Sequence, residues 1–207
     1  MCQLSAKEKK NQDLINKSQI KDSKLVKGAK LLNSVLNPFV QSKTVSNQHA
    51  SRAGKWTEMQ FNAKGKLVGL KLLDYLLEKP RVTACPTNER NFDVFYLFLA
   101  GATPEERHEF HLHDASKFKY LNNSNASPAS NDHLKYTELL HDMKAIGIGK
   151  RQQHELFKII AAILHLGNIE FADEKDLAND PASIVHYNEL DIVASLLGVE
   201  AVNLESR

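Results

Sequence analysis

Cysteine, arginine and long hydrophobic runs are what this 207-residue sequence has least of. Its two cysteines, Cys2 and Cys85, exclude a disulfide-stapled fold and favour a reducing compartment. Uncharged stretches such as 31–42 and 159–169 fall well short of the ~20 apolar residues that a membrane-spanning helix needs. No apolar run of signal-peptide length follows Met1. The sequence therefore predicts neither secretion nor membrane contact by this segment.

The composition is that of a globular protein, with 42% hydrophobic and 25% charged residues. It excludes collagen-like, low-complexity and wholly disordered chains, and it predicts one ordinary domain or a piece of a larger one. The few arginines do not interleave with aromatic residues, so no nucleic-acid partner is predicted. Residues 1–80 hold 15 Lys and Arg against 6 Asp and Glu, whereas residues 81–207 hold 12 against 19. The basic half can face phosphates, an acidic polymer or the acidic half of its own chain.

The first part of the chain predicts a polar terminus, a short helix and a loop. Residues 1–24 are polar and rich in lysine, which indicates a solvated terminal segment. Apolar residues at helical spacing from Leu25 onward predict a helix that stops at Pro38. Residues 41–55 are small and polar without a period, which is typical of a loop.

A β-hairpin is predicted next. Residues 56–61 alternate, residues 67–77 form a longer apolar strand, and Asn62–Gly65 supplies the turn between them. Because 67–77 carries apolar residues on both faces, we expect a strand buried in a sheet larger than this hairpin. Such a strand leaves an exposed, aggregation-prone edge if its neighbours are absent.

The remaining sequence predicts about five helices. Thr103 precedes a proline and two glutamates, the order expected for a helix cap and an acidic first turn. The helix at 156–166 is apolar nearly all round and is expected to be buried. Gly101 and Gly198 are expected to stop two of the helices. The other predicted helices cover 88–100, the region around 136–143, and 189–197, and residues 122–131 are expected to form a loop.

The loop 42–55 carries residue types that hold a nucleotide phosphate and its metal. The Asn47 amide can donate to a phosphate oxygen, the Ser51 hydroxyl can ligate Mg²⁺, and Arg52 can pair with a phosphate or a carboxylate. Polar loops of this kind are common, so a solvated surface loop is the alternative. No Gly-x-x-x-x-Gly-Lys-Ser/Thr element occurs, because 147–150 has neither its spacing nor its hydroxyl. The chain by itself carries no predicted phosphate cradle.

Two other clusters of chemically active residues are expected to be ordinary surface. The three histidines at 108, 111 and 113 lack a second ligand pair at zinc-like spacing, so we expect surface side chains rather than a metal site. A small metal-dependent enzyme built on them is the least favoured interpretation. The acidic residues between 173 and 180 lack the spacing and the glycine of a calcium loop and predict a solvated connection.

Three ordered blocks of the chain resemble the motor domain of myosins. The runs SKTVSN (42–47), ASRAGK (50–55) and EMQF (58–61) resemble the switch I loop and the strand after it. Residues 75–102 resemble the transducer strand and the next helix of the upper 50-kDa subdomain, and 160–171 resembles a later long helix. The resemblance, which covers about 25–204, implies an α/β fold: a fragment of a P-loop NTPase-type myosin head. It divides 25–207 into the switch I loop 42–55, the hairpin 56–77 and a mainly helical upper 50-kDa lobe over 88–207.

Within this family, the pattern Asn-x-x-Ala-Ser-Arg, the run EMQF and the run LDIVA (190–194) look most like the motor-like domain fused to certain fungal chitin synthases. The resemblance implies ATP and Mg²⁺ as cofactors, and an actin filament and the rest of the motor domain as partners. It also implies a cytoplasmic, cytoskeleton-associated location, with a membrane-anchored parent if a chitin synthase follows.

Carried over by residue, the family's roles fall on four positions. Asn47 would donate to the nucleotide phosphates, and Ser51 would ligate Mg²⁺. Arg52 would pair with the switch II glutamate, and Lys55 would support the loop. Ala50 and Ala53 depart from the family, which mostly has serine and phenylalanine at these positions.

Neither a P-loop nor a switch II element occurs between Met1 and Arg207, so catalysis by this chain alone is not predicted. The alternative function is a stand-alone, non-catalytic interaction module derived from a myosin head.

Overall fold

The computed structural model describes residues 24–122, 129–172 and 183–205. The predicted terminal segment 1–24, apart from Lys24, and the acidic segment 173–180 lie outside the described residues, as does most of the predicted loop 122–131. Two short 3-10 helices occupy Lys79–Val82 and Ala115–Lys117. The helices are α1 (Lys24–Val40), α2 (Asp93–Gly101), α3 (Pro104–Glu109), α4 (Lys119–Asn122), α5 (Asp132–Ala145), α6 (Lys150–Leu166), α7 (Tyr187–Leu197) and α8 (Ala201–Glu205). The strands are β1 (Gln41–Ser42), β2 (Ala50–Ser51), β3 (Gly54–Phe61), β4 (Leu67–Tyr75), β5 (Phe171–Ala172) and β6 (Ser183–Ile184).

The described strands form three antiparallel pairs, β1 with β2, β3 with β4, and β5 with β6. The β3–β4 pair is the predicted hairpin, and its register runs from Gly54 opposite Tyr75 to Phe61 opposite Leu67. Asn62 shapes the turn, because its Oδ1 accepts hydrogen bonds from the main-chain N–H groups of residues 64 and 66 at 3.0 and 2.9 Å. Gly65 has φ +72°, a conformation that glycine adopts without strain.

The second hairpin strand differs from its prediction. β4 ends at Tyr75 rather than at residue 77, and its apolar side chains are not buried on both faces. Val68 and Tyr75 are each 52% exposed. The reason is that α1 packs on one face of the hairpin, and no third strand joins it among the described residues. The apolar pattern that predicted a buried strand is therefore left partly facing solvent.

The structure also corrects the boundaries around the first loop. Helix α1 continues past Pro38 to Val40, because a proline removes one helical hydrogen bond near the end without preventing the last residues from keeping helical angles. The segment 41–55 is not wholly irregular. β1 and β2 pair within it, and β3 already starts at Gly54.

Helix α2 begins at Asp93, five residues later than predicted. The side chain of Asn91 explains the delay. Its Nδ2 donates to the carbonyl oxygens of Val82 and Tyr120 at 2.9 and 3.0 Å, and its Oδ1 accepts from the N–H of Phe92 at 2.8 Å. These bonds hold the residues just before Asp93 in a non-helical conformation. The predicted stop at Gly101 is the last residue of α2.

The later helices surround one aromatic-rich core. Phe98 of α2 lies 4.9 Å from Phe157 of α6, centroid to centroid, and Tyr136 of α5 meets Phe157 edge-on at 5.0 Å. Helix α6 is longer than predicted and is not buried all round, because Ile159 is 51% exposed. The fully buried large side chains of this core include Tyr96, Phe98, Phe110, Phe118, Tyr136, Met143, Phe157 and Leu164.

Two predicted helix boundaries are confirmed in detail. Thr103 Oγ1 accepts from the N–H of Glu106 at 3.2 Å, and Glu106 Oε2 accepts from the N–H of Thr103 at 2.9 Å, a reciprocal capping box. Gly198 ends α7 with φ +69°. Helix α8 and the β5–β6 pair were not predicted. The α/β class is confirmed, with small sheets followed by a helical lobe.

Candidate functional site

The candidate loop, residues 42–55, starts where α1 ends and runs into the hairpin. Its two ends meet in the β1–β2 pair, where Gln41 lies opposite Ser51. The N–H of Arg52 donates to the carbonyl of Val40 at 2.6 Å. Ser42 also forms a β-bridge with Phe92, the residue that precedes α2. The loop is therefore closed at its base and connected to the helical lobe.

Asn47 lies at the exposed tip of the loop. Its N–H donates to Thr44 Oγ1 at 3.1 Å, and its carbonyl accepts from the N–H of Thr44 at 2.8 Å. Its side-chain Oδ1 accepts from the N–H of His49 at 2.9 Å. The amide oxygen thus shapes the turn, and the side chain as a whole is exposed, so its NH₂ group is chemically able to donate to an anion.

Ser51 and Lys55 lie on the second limb of the loop. Ser51 is exposed, and its Oγ donates to the carbonyl of Ala53 at 2.8 Å, which leaves the oxygen lone pairs as acceptors or ligands. Lys55 Nζ donates to Asn37 Oδ1 of α1 at 2.7 Å. Partial burial lowers the pKa of Lys55. In the described residues Lys55 therefore connects the start of β3 to α1.

Arg52 is paired within the chain. Its Nε lies 2.6 Å from Oε2 of Glu78, and the N–H of Glu78 donates to the Arg52 carbonyl at 2.9 Å. Burial acts to raise the pKa of Glu78, but hydrogen bonds and charge from Arg81 and Arg52 outweigh it and leave the pKa below its ordinary value. Glu78 is thus ionised and shared between two arginines.

Arg81 is the buried centre of this arrangement, with 3% of its side chain exposed. Its Nε donates to Glu78 Oε2 at 2.9 Å, and its Nη1 donates to Glu89 Oε2 at 2.8 Å and to the Arg90 carbonyl at 3.2 Å. Burial acts to lower the pKa of Arg81, and the two carboxylates outweigh it and raise the pKa. This segment carries part of the family resemblance, and its charged residues were not identified as part of the site from the sequence. Two glutamates flanking a lone arginine were the available signal.

A cavity of about 220 Å³ lies between α1, the loop and the helical lobe. Asn37 of α1, Gln41 and His49 contribute to its wall on one side, and Asp93 of α2 and Asp132 of α5 contribute on the other. Burial raises the pKa of Asp93, although the charges of Arg90, Lys135 and His49 act against it. The cavity separates the loop from α5 and is open to solvent.

The other sequence patterns do not assemble into sites among the described residues. His154 contacts Glu109 at 3.1 Å, but no group of three or more His, Cys, Asp or Glu side chains in the described ranges is placed to hold a metal ion. Residues 147–149 lead into α6, which begins at Lys150, and the N–H of Gly149 donates to Gln152 Oε1 at 2.9 Å. Across 24–122, 129–172 and 183–205, none of the helices has the length and apolarity that crossing a bilayer requires.

The chain belongs to the myosin head (motor domain) family, whose family model matches residues 1–207. Chitin synthase 8 of Mycosarcoma maydis is 42% identical over 171 residues, which are 83% of this chain and 8% of that protein. Myosin-1 of Emericella nidulans is 39% identical over 171 residues, 82% of this chain and 14% of that protein. Myosin IB heavy chain of Dictyostelium discoideum is 38% identical over 176 residues, 84% of this chain and 16% of that protein.

These comparisons confirm the resemblance to myosin heads and to fungal chitin synthases. The chain spans less than a fifth of the length of each of these relatives.

Proposed function

We propose that this chain supplies the switch I element and most of the upper 50-kDa lobe of a nucleotide-binding motor head. In this assignment residues 42–55 are the switch I loop, 56–77 the transducer hairpin and 88–207 the helical lobe. Asn47 donates to the phosphates of ATP, Ser51 ligates Mg²⁺, and Lys55 supports the loop. Arg52 keeps its Nε contact with Glu78 and pairs through its other N–H groups with a carboxylate from another part of the complete head. The chain acts in ATP binding as one part of the complete protein.

One observation carries this proposal. In a chain of the myosin head family, the loop 42–55 has an ordered backbone while Asn47 and Ser51 remain exposed. Asn47 and Ser51 are both exposed, and their local hydrogen bonds order the backbone while leaving an amide NH₂ and a hydroxyl oxygen available. The base of the loop is closed by β1 and β2. A preformed polar loop of this kind can hold an anion with little loss of conformational freedom.

The donor set fits Mg²⁺ bound to a nucleotide. Magnesium binds through few protein oxygens and keeps waters and phosphate oxygens as its other ligands, so one serine hydroxyl is an adequate contribution from this chain. The described residues present no cluster of acidic or histidine ligands that would hold a metal by themselves. Bound Mg²⁺ would neutralise phosphate charge, while Asn47 and Ser51 would orient the phosphates and the ion.

The exposed apolar surface of the hairpin favours the rest of the motor domain as a binding partner of this chain. Trp56 and Leu73 lie opposite each other in the β3–β4 pair and are 58% and 43% exposed. An unpaired strand edge beside apolar side chains favours the addition of further strands. Actin is proposed as the filament partner of the complete head, in a cytoplasmic, cytoskeleton-associated setting, and a chitin synthase region is proposed as one form of the parent protein.

The test is nucleotide binding by the complete protein, defined by a transcript read across both ends of this reading frame. Fluorescent ATP analogue titrations with Mg²⁺ should show binding that Asn47→Ala or Arg52→Ala weakens at least tenfold. Ser46→Ala, at an exposed position in the same loop, is the matched control and should bind as the wild type does. A complete protein that binds no nucleotide, or variants that bind equally well, would overturn the proposal.

The same experiment addresses the alternative of a stand-alone interaction module. A transcript confined to the 207 codons, together with capture of a defined partner in the absence of ATP, favours the module. A transcript that extends into a phosphate-binding Gly-rich loop, together with Mg²⁺-dependent nucleotide binding, favours the motor head.

A further inference from the structure

The segment between Val45 and Arg52 carries Asn47 and Ser51 and is held at both ends by glutamates. At the first end, the N–H of Val45 donates to Glu89 Oε1 at 3.4 Å. At the second end, Arg52 pairs with Glu78 through its side chain at 2.6 Å and through its carbonyl, which accepts from the N–H of Glu78. The two glutamates are eleven residues apart in the chain and contact opposite limbs of one loop.

The guanidinium of Arg81 lies between these two carboxylates and bonds to both. Arg81 donates through Nε to Glu78 and through Nη1 to Glu89, at 2.9 and 2.8 Å, so both bonds come from one rigid planar group. The Arg90 carbonyl accepts from the same Nη1 at 3.2 Å. Because Arg81 is almost fully buried, its position is fixed by packing rather than by solvent-exposed rotamers.

The charges alternate along the sequence of contacts from Arg52 to Glu78, Arg81 and Glu89. Two cations meet two anions, so each charge, whether buried as in Arg81 or partly exposed as in Arg52 and Glu78, has an opposite neighbour. Partial burial strengthens these bonds relative to exposed pairs and makes an unpaired member costly. Loss of the central cation would leave Glu78 and Glu89 facing the same vacated space.

We propose that Arg81 is a positioning residue for the candidate nucleotide loop: through Glu78 and Glu89 it holds the two limbs that carry Asn47 and Ser51 at a fixed separation. The inference rests on the proposed function for its nucleotide consequence, because Arg81 itself touches no residue assigned to phosphate or Mg²⁺ except through Glu78. A lysine at this position keeps the positive charge but cannot donate to both carboxylates in one plane.

The first experiment uses residue-resolved amide exchange by NMR on the 207-residue chain. Glu89→Ala should accelerate exchange of the Val45 amide and leave that of the Arg52 amide unchanged. Glu78→Ala should accelerate exchange of the Arg52 amide and leave that of the Val45 amide unchanged. Arg81→Lys should accelerate exchange at both limbs, by about tenfold or more, since a hydrogen bond to a charged group is worth about that factor. Amides in α6 should exchange as in the wild type for all three variants.

Two controls separate positioning from general destabilisation. Glu170→Ala removes an exposed ion pair with Lys119 in the helical lobe, 2.8 Å long, and should leave both limbs of the loop unchanged. If Arg81→Lys does not fold, the two glutamate variants still decide the result. Equal acceleration throughout α6 and the loop, or no acceleration at either limb, would overturn the inference.

The second experiment measures Mg²⁺-dependent binding of a fluorescent ATP analogue to the complete protein. Arg81→Lys should weaken binding about tenfold under conditions in which its circular dichroism spectrum matches that of the wild type. If the wild type binds and Arg81→Lys binds equally well, the positioning role is wrong and the nucleotide function stands. If the wild type does not bind, the nucleotide function fails, and the amide-exchange pattern alone decides whether Arg81 holds the loop.

Discussion

The buried ion pair between Arg90 and Asp132 gives the sharpest stability prediction. Arg90 Nη2 lies 2.8 Å from Asp132 Oδ2, and the two side chains are 10% and 1% exposed. Asp132→Asn keeps the shape of the side chain and removes its charge, so the buried guanidinium loses its directly paired carboxylate and keeps only the more distant charge of Asp93. Breaking one member of a buried pair costs about 3–5 kcal/mol.

Two details of the structure place the expected cost near the lower limit. The Arg90 guanidinium lies 3.9 Å from the centroid of the Tyr96 ring, and this cation–π contact survives the substitution. An asparagine at 132 can still accept the hydrogen bond that Ala129 N–H gives to Oδ2 at 2.8 Å. We therefore expect a loss of ~3 kcal/mol, which lowers the melting temperature by about 6–12 °C for a chain of this size.

The assay is urea unfolding of the 207-residue chain followed by circular dichroism. Glu170→Gln is the comparison variant, because its ion pair with Lys119 is about half exposed and screened by solvent, so its loss should change stability little. Replacing both buried partners, Arg90→Met with Asp132→Leu, should recover most of the loss. If Asp132→Asn costs no more than Glu170→Gln, the argument from burial is refuted.

Four further predictions concern single positions. Gly101→Ala should destabilise the lobe by about 1–3 kcal/mol in urea, because a Cβ there would overlap the Tyr136 ring, which is part of the core. Thr103→Ala should cost ~1 kcal/mol through loss of the cap of α3, whereas Thr103→Ser should not. Because the folded-state pKa of Glu78 is lowered, its stabilising effect is present at neutral pH and is lost as the pH falls, so Glu78→Gln and the wild type should converge in stability in acid. Leu73→Lys should reduce light scattering by the concentrated chain, because this exposed side chain lies on the outer surface of the hairpin.

Each of these has a result that contradicts it. Equal stability of Gly101→Ala and wild type would mean that the ring moves aside without loss. A Thr103→Ser variant as unstable as Thr103→Ala would remove the cap as the cause. A stability gap at Glu78 that widens in acid would reverse the sign argued from its arginine partners. Unchanged scattering of Leu73→Lys would show that self-association uses another surface.

Local features of the fold were predicted from the sequence because a few neighbouring residues determine them. The cap at Thr103 and the stop at Gly198 depend on bonds and angles within one helical turn. The hairpin turn at Asn62 is equally local. The start of α2 was misplaced because Asn91 bonds to Tyr120, far along the chain, and a periodicity argument does not include such contacts.

The candidate site was predicted as a set of residue types and not as an arrangement. Asn47 and Ser51 were identified because amide and hydroxyl groups suit a phosphate and its metal. The partner that the structure gives to Arg52 is Glu78, 26 positions away, and the flanking glutamates that mark Arg81 in the sequence do not indicate that this arginine is buried between them. Tertiary contacts determine whether a charged residue is buried, so the burial of Arg81 can be identified only in the folded structure.

The way in which the loop is held has a consequence for how its sequence can evolve. Contacts from the flanking segment 78–89 reach its two limbs, main-chain bonds close its base, and the side chains of Thr44, Asn47 and Ser51 bond to the backbone within it, so its shape depends little on its other side chains. Ala50 contributes to this base through its backbone, and Ala53 through a carbonyl that accepts from Ser51. Both positions can therefore accept new side chains with little loss of stability. Selection can change the chemistry of this loop while the surrounding fold is inherited unchanged.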